Sequence, residues 1–217
     1  MAPTRPEGQA NVLLSRDSLV SFASDLSSQE RRDILDCLHY SQLRADEKRD
    51  RRQSWVSWIR LYQAGLYNNG FTLSGALEHK ILSIHDPRDL HAVVRDAIQG
   101  TGHQALSVLA DSALKALLRS PHAQAFFQDW FSDGQSESMQ VVPCCADENG
   151  LIDVMICGIR IQTEGAVRSS FSRPTARMTI TINGGAFRYS AQAYDPYRNK
   201  ILQGLERYAL TYFDSVP

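Results

Sequence analysis

The stretch that decides the fold is Met178-Thr179-Ile180-Thr181-Ile182-Asn183-Gly184-Gly185-Ala186-Phe187-Arg188-Tyr189. Met178 to Ile182 alternates apolar and polar residues at the period of a strand with one buried face. Asn183-Gly184 is the dipeptide best suited to the two left-handed residues of a type I′ turn. A two-residue loop there would pair Ile182 with Gly185, Ile180 with Phe187 and Met178 with Tyr189 on one side. Thr179 would meet Arg188 on the other. The spacing predicts an antiparallel hairpin.

Asp195-Pro196 follows and reads as a helix start, with Pro at the first helical position. Ile201, Leu202, Leu205, Tyr208, Ala209, Tyr212 and Phe213 then form one face, opposite Gln203, Glu206 and Arg207. Such a helix is expected to lie across the Ile/Met/Phe/Tyr side of the hairpin. Upstream, Met139 to Cys145 and Leu151 to Gln162 read as strands joined by a turn at Asp147-Glu148-Asn149-Gly150. The segment from Thr163 to Thr175 is polar and Ser-rich, with Gly165 and Pro174, and reads as a loop.

The first 130 residues read as helical. Leu19, Phe22, Ala23 and Leu26 fit one stripe of a short helix between Asp17 and Leu26. Ser27-Ser28-Gln29-Glu30 is a capping box: the serine oxygen accepts a free backbone N–H, and Glu30 reaches back to the cap. Ile34, Leu35, Leu38 and Leu43 continue the helical period, as do Trp55, Val56, Trp58, Ile59, Tyr62 and Leu66. Periodicity leaves open whether Ser28 to Tyr67 is one helix, about 60 Å long, or two with a break near Asp46 to Asp50. One helix is favoured. Asn68-Asn69-Gly70 is a left-handed C-cap signal. Leu73 to Leu82 reads as a short helix. Asp86-Pro87-Arg88-Asp89 opens another, whose buried face is Leu90, Val93, Val94, Ala97 and Ile98. His103 to Leu118 is apolar around half its circumference, and a last helical segment from Pro121 carries Phe126, Phe127, Trp130 and Phe131.

Helices, then strands, then a helix, without βαβ alternation, predict an α+β fold. The expected architecture is an N-terminal helical bundle, a small antiparallel β-meander and a C-terminal amphipathic helix. Residues 1–15 read as a disordered tail, 16–134 as the helical part and 135–217 as sheet plus helix, packed as one domain with the helical part.

Composition excludes several functional classes. The net charge is −1 over 217 residues, so no global field recruits nucleic acid. No apolar run approaches the roughly 20 residues of a spanning helix. The polar N-terminus, with Pro3 and Pro6, lacks the plan of a secretory signal. The expected location is cytoplasmic, or outside the cell by a signal-independent route.

Chemistry has few footholds. His79, His85 and His91 recur every six residues, which does not converge on one helical face, and no zinc motif occurs. No metal or cofactor is expected. Among Cys37, Cys144, Cys145 and Cys157, none opens a predicted helix, where a thiolate would be favoured. Cys144 and Cys145, near a strand end, are the least implausible nucleophiles, with His85 as a further catalytic candidate. Asp86 beside it is explained as a cap. Gly100-Thr101-Gly102 lacks a P-loop lysine and reads as a helix connector. The run Arg44 to Gln53 holds five basic and three acidic residues, which suits a solvated helix face.

Adjacent aromatics cannot all face one core. Phe127, Trp130 and Phe131, and Phe171 in the polar loop, are therefore the candidate binding residues. The favoured function is a non-enzymatic interaction module for a protein or membrane surface, effector- or toxin-like in kind. In the membrane version the segment from His103 to Leu118 releases apolar surface. The alternatives are an enzyme with a scattered thiol or His/Asp site between helices and sheet, and an oligomeric structural subunit.

Overall fold

The computed structural model describes residues 11–15, 17–120, 137–164 and 177–214. In chain order the elements are β1 (Asn11–Ser15), β2 (Ser18–Phe22), α1 (Ser28–Lys48), α2 (Trp55–Tyr67) and β3 (Thr72–Ile84). A 3-10 turn (Pro87–Asp89), α3 (Leu90–Gln99) and α4 (Gln104–Arg119) follow. The chain ends with β4 (Glu137–Ala146), β5 (Ile152–Glu164), β6 (Arg177–Tyr189) and α5 (Ala191–Asp214).

The strands form one sheet in the order β1-β2-β4-β5-β6-β3. β2 runs parallel to β4, and every other neighbouring pair is antiparallel. Helices cover both faces. α1, α2 and α5 share one core with Val142, Val154, Ile156, Phe187 and Tyr189. α3 and α4 share the other with Met139, Met155, Ile159, Ile180 and Ile182. This is a mixed α/β three-layer fold in which strands precede the first helix, and it replaces the expected N-terminal bundle and meander.

The predicted hairpin at Asn183-Gly184 does not exist. β6 is one continuous strand whose Asn183 and Gly184 pair with Gly158 and Cys157 of β5. Among the described residues only Gly70, Gly102 and Gly150 take positive φ. Ile180 pairs with Ile161 and Leu82, and Phe187 with Val154 and Leu73. Met178 pairs with Thr163 and Ile84, and Tyr189 with Ile152. Ile180 and Phe187 thus face opposite cores.

The glycines serve close approach. A Cβ on Gly184 would lie 1.7 Å from the Ile156 carbonyl oxygen. One on Gly158 would lie 2.8 Å from Ile59 Cδ1, and one on Gly185 2.9 Å from Gln63 Oε1. Both Ile59 and Gln63 belong to α2, so bare backbone on β5 and β6 is where that helix seats.

Two further segments read as helices are strands. β2, with all five residues buried, is too short for periodicity to separate strand from helix. β3 carries register shifts between Leu73 and Gly75 and between Leu77 and Lys80. Each extra residue breaks the strict alternation of the strand, and Leu73, Leu77 and Ile81, four residues apart, also fit a helical stripe. Asn11 to Ser15, assigned to the tail, forms β1. Ser28 to Tyr67 is two helices, with Asp50 Oδ1 accepting the Arg52 N–H at 2.8 Å in the turn between them. α5 starts at Ala191 after Ser190, whose Oγ accepts the Ala193 N–H at 3.2 Å, and Pro196 lies inside the helix.

Local signals elsewhere hold. Ser27 Oγ accepts the Glu30 N–H at 3.3 Å while Glu30 Oε2 accepts the Ser27 N–H at 2.7 Å. Gly70 takes φ 91° beyond α2, and Asp147 Oδ1 accepts two N–H groups in the β4–β5 turn that closes at Gly150.

Gly184→Ala is expected to destabilise the fold by about 2–3 kcal/mol or more, the cost of overpacking a rigid site. Gly100→Ala, with its nearest neighbour at 3.5 Å and φ −60°, should change stability little. Urea unfolding of the two variants checks this; equal stabilities would contradict the packing role.

Candidate functional site

A cleft of about 480 Å³ opens where the N-terminus of α4 meets the β4–β5 turn. Gly102 to Leu106 line one side, and Cys145 to Glu148 with Asp153 line the other. Gly102, at φ 86°, turns the chain into α4. Thr101 Oγ1 lies 3.0 Å from His103 Nδ1 and 2.6 Å from the Ile98 carbonyl, which fixes the entry. The positive end of α4 thereby faces acidic side chains, a favourable arrangement of charge and dipole.

Two of the carboxylates have structural partners. Asp147 organises its turn, and Asp153 Oδ1 accepts from Arg188 Nε at 3.1 Å. Burial, then the charges of Asp153, Asp25 and Asp147, pushes the Cys145 thiol up to about 12. It is protonated at neutral pH, so the cleft is an acidic recess beside a thiol that is not activated.

The other predicted catalytic residues are elsewhere. Cys144 is buried on the opposite sheet face, its Sγ 3.7 Å from the Val142 carbonyl, and burial drives its pKa well up. His85 is exposed at the end of β3 and does not line the cleft. Burial raises Cys37 and Cys157 to about 12 as well. Phe127, Trp130, Phe131 and Phe171 lie outside the described residues. No group of three or more metal-ligating side chains occurs among the described residues.

The two helical layers are held by different forces. On the α1/α2/α5 side, Asp33 of α1 is 1% exposed and accepts from Tyr189 Oη at 2.7 Å and Gln29 Nε2 at 2.8 Å. Arg198 of α5 grips the same carboxylate with Nε at 3.0 Å and Nη2 at 2.8 Å, and also pairs with Asp195. Burial alone would raise the Asp33 pKa, but hydrogen bonds from Arg198, Tyr189 and Gln29 hold it below its ordinary value of 3.8.

A second polar anchor joins the α1–α2 turn to the sheet. Arg51 meets Asp17 Oδ2 at 2.6 Å, Ser138 Oγ at 2.8 Å and the Ser138 carbonyl at 2.6 Å. Its guanidinium lies 4.5 Å from the ring centroid of Trp58, whose Nε1 donates to Asp46 at 2.7 Å. Part of the run expected to be a solvated face is therefore a tertiary anchor.

On the α3/α4 side, the side-chain polar contacts among the described residues stay within the pair and its loops. Asp111 accepts from Lys115 at 2.7 Å and meets His91 Nδ1 at 2.7 Å, and Ser107 bonds the Gln104 carbonyl at 2.8 Å. Contact with the sheet is made by Leu90, Val94, Ile98, Leu106, Leu114 and Leu117.

The Asp33 and Arg51 anchors were missed because their partners are far apart in sequence; Asp33 and Arg198 are 165 residues apart. The local trace was three polar residues, Asp33, Ser41 and Gln42, on the face that carries Ile34 and Leu38.

Asp33→Asn should cost about 2–3 kcal/mol, since it removes the buried charge that Arg198 grips and leaves that cation only the exposed Asp195. The lowered Asp33 pKa means the unfolded chain takes up that proton first on acidification. Its stabilisation is complete above the ordinary carboxylate value and is lost as pH falls through the lower folded value. Denaturation followed below pH 4 should show an acid limb that the variant lacks. For the thiols, alkylation at neutral pH should be slower than for free cysteine at all four positions, with Cys145 first. A faster reaction at Cys145 would restore the enzymatic alternative.

No family model matches the chain, and no curated protein matches it in sequence. The solved structures that align with the chain include these two. A delta-endotoxin aligns with a TM-score of 0.47 and 9% identity over 88% of this chain and 91% of that one. The structure of the Evf virulence factor aligns at 0.41 and 12% identity over 94% of this chain and 85% of that one.

Proposed function

We propose that this chain is an effector-like interaction module that binds a lipid surface by parting α3 and α4 from the sheet. The supporting observation is the asymmetry of the two layers among the described residues: buried ionic anchors on one face, apolar contacts on the other.

Magnitudes decide which layer moves. Six large apolar side chains of α3 and α4 are buried, and exposing them to water would cost roughly 10–15 kcal/mol. In water the pair stays closed. Hydrocarbon removes most of that cost, because it solvates apolar surface as well as the sheet does. Separating Asp33 from Arg198 has no such compensation, since lipid offers no group to replace the paired hydrogen bonds that the two ions share. The layer held by apolar contact is the one a bilayer can exchange for itself.

The pair is suited to an interfacial position. Its apolar stripes are backed by His91, Arg95, Lys115 and Arg119, which remain in water while the stripes enter the acyl boundary. No described helix is long and apolar enough to cross a membrane. With a net charge of −1, attraction to anionic lipid contributes little, so binding depends on apolar burial and resists salt.

Co-sedimentation with zwitterionic and with mixed anionic vesicles, followed by hydrogen exchange, tests the reading. Binding should occur to both, change little with salt and remove protection from α3 and α4 while α1 and α5 keep theirs. Leu114→Ala, which loosens α4, should accelerate binding. No sedimentation with either vesicle, or binding with α3 and α4 still protected, sinks the proposal.

A further inference from the structure

We infer that β1 is a self-complementary edge through which two copies of this chain pair about a two-fold axis. The argument begins with which backbone groups face outward. Gln140 N–H donates to the Asp17 carbonyl at 2.9 Å, and Ala23 N–H to the Cys144 carbonyl at 2.9 Å. The odd-numbered residues along β2 therefore turn their N–H and C=O groups toward β4, and Ser18, Val20 and Phe22 turn theirs toward β1. Those three lie opposite Ser15, Leu13 and Asn11. Hydrogen-bonded and non-bonded pairs alternate in an antiparallel ladder. The N–H and C=O groups of Val12 and Leu14 consequently point away from the sheet.

β1 is the outermost strand on its side among the described residues. Val12 is 40%, Leu13 43% and Leu14 40% exposed, and Asn11 to Ser15 holds no charge and no proline. Edge strands are ordinarily protected by charges, bulges or proline. The opposite edge has such protection: β3 carries two register shifts and the charged pair Glu78 and Lys80. β1, whose register with β2 is unbroken, lacks it.

The sequence of β1 matches its own reverse in chemistry. An antiparallel pair centred on Leu13 sets Leu13 opposite Leu13, Val12 opposite Leu14 and Asn11 opposite Ser15. Apolar meets apolar and polar meets polar. The hydrogen bonds fit this centre, which uses both outward residues: Val12 and Leu14, whose backbone groups point outward, exchange bonds with Leu14 and Val12 of the second copy. A two-fold pair closes on itself and consumes both open edges of its kind. Pairing β1 with β3 would instead propagate into a filament and meet the bulges. The occupant is thus a second copy, joined β1 to β1 in a twelve-stranded sheet.

Sedimentation equilibrium of the full chain over a range of micromolar concentrations tests this. The wild type should be a dimer. Leu14→Pro removes an outward N–H without breaking a β1–β2 bond, and Leu13→Lys sets like charges opposite one another; each should give a folded monomer by circular dichroism. Ile81→Lys, on the β3 edge, should remain dimeric. A monomeric wild type, a ladder of higher oligomers, or a dimer that persists in Leu13→Lys overturns the inference. Vesicle binding by the Leu13→Lys monomer is a separate readout, so failure here is distinct from failure of the lipid reading.

Discussion

The backbone of β6 passes the Ile156 carbonyl so closely at Gly184 that no side chain can be carried there, and most of the architecture follows from that approach. β6 lies between β5 and β3, so its side chains feed two cores in turn. Bare backbone at Gly158 and Gly185 admits Ile59 and Gln63, which sets the depth of α2 against the sheet. α1 then packs on α2 with Ser41 against Gly65. From α1, Asp33 reaches Tyr189 at the end of β6 and Arg198 on α5. One close-packed strand thus positions three helices on a single face.

The opposite face obeys a weaker rule. α3 and α4 need only apolar stripes of the right width, because the sheet offers a nearly continuous surface from Met139 to Ile182. Apolar contact is non-directional and is lost gradually as elements separate. A buried, bidentate ion pair is directional, and breaking it leaves uncompensated charge. The fold therefore combines a face fixed in geometry with a face fixed mainly by exclusion from water. Among the described residues it is this difference in how the two layers are held that stands out chemically.

How much of this was legible depends on distance along the chain. The capping box at Ser27 and Glu30, the stop at Gly70, the turn at Asp147 to Gly150 and the buried stripes of α2, α3 and α4 rest on neighbours within a few residues. They appear in the structure as read. β2 and β3 were misread as helices because one is too short to show a period and bulges break the period of the other. In the candidate cleft, Cys145 could be noted from its place at a strand end, whereas its pairing with the α4 entry could not. Cys145 and His103 belong to segments that only the folded sheet brings together.

By itself the sequence determined the local punctuation and the apolar faces of the helices, because caps, turns and helical periods are set by interactions a few residues long. Only the tertiary structure decided what Asn183-Gly184 means. The same dipeptide satisfies a type I′ turn in a hairpin or a close approach in a buried strand. The choice is made by Ile156, more than two dozen residues away, whose backbone occupies the space that a side chain at Gly184 would need. It also decided strand order, the parallel pairing of β2 with β4 and the meeting of Asp33 with Arg198, since each depends on segments far apart in the chain.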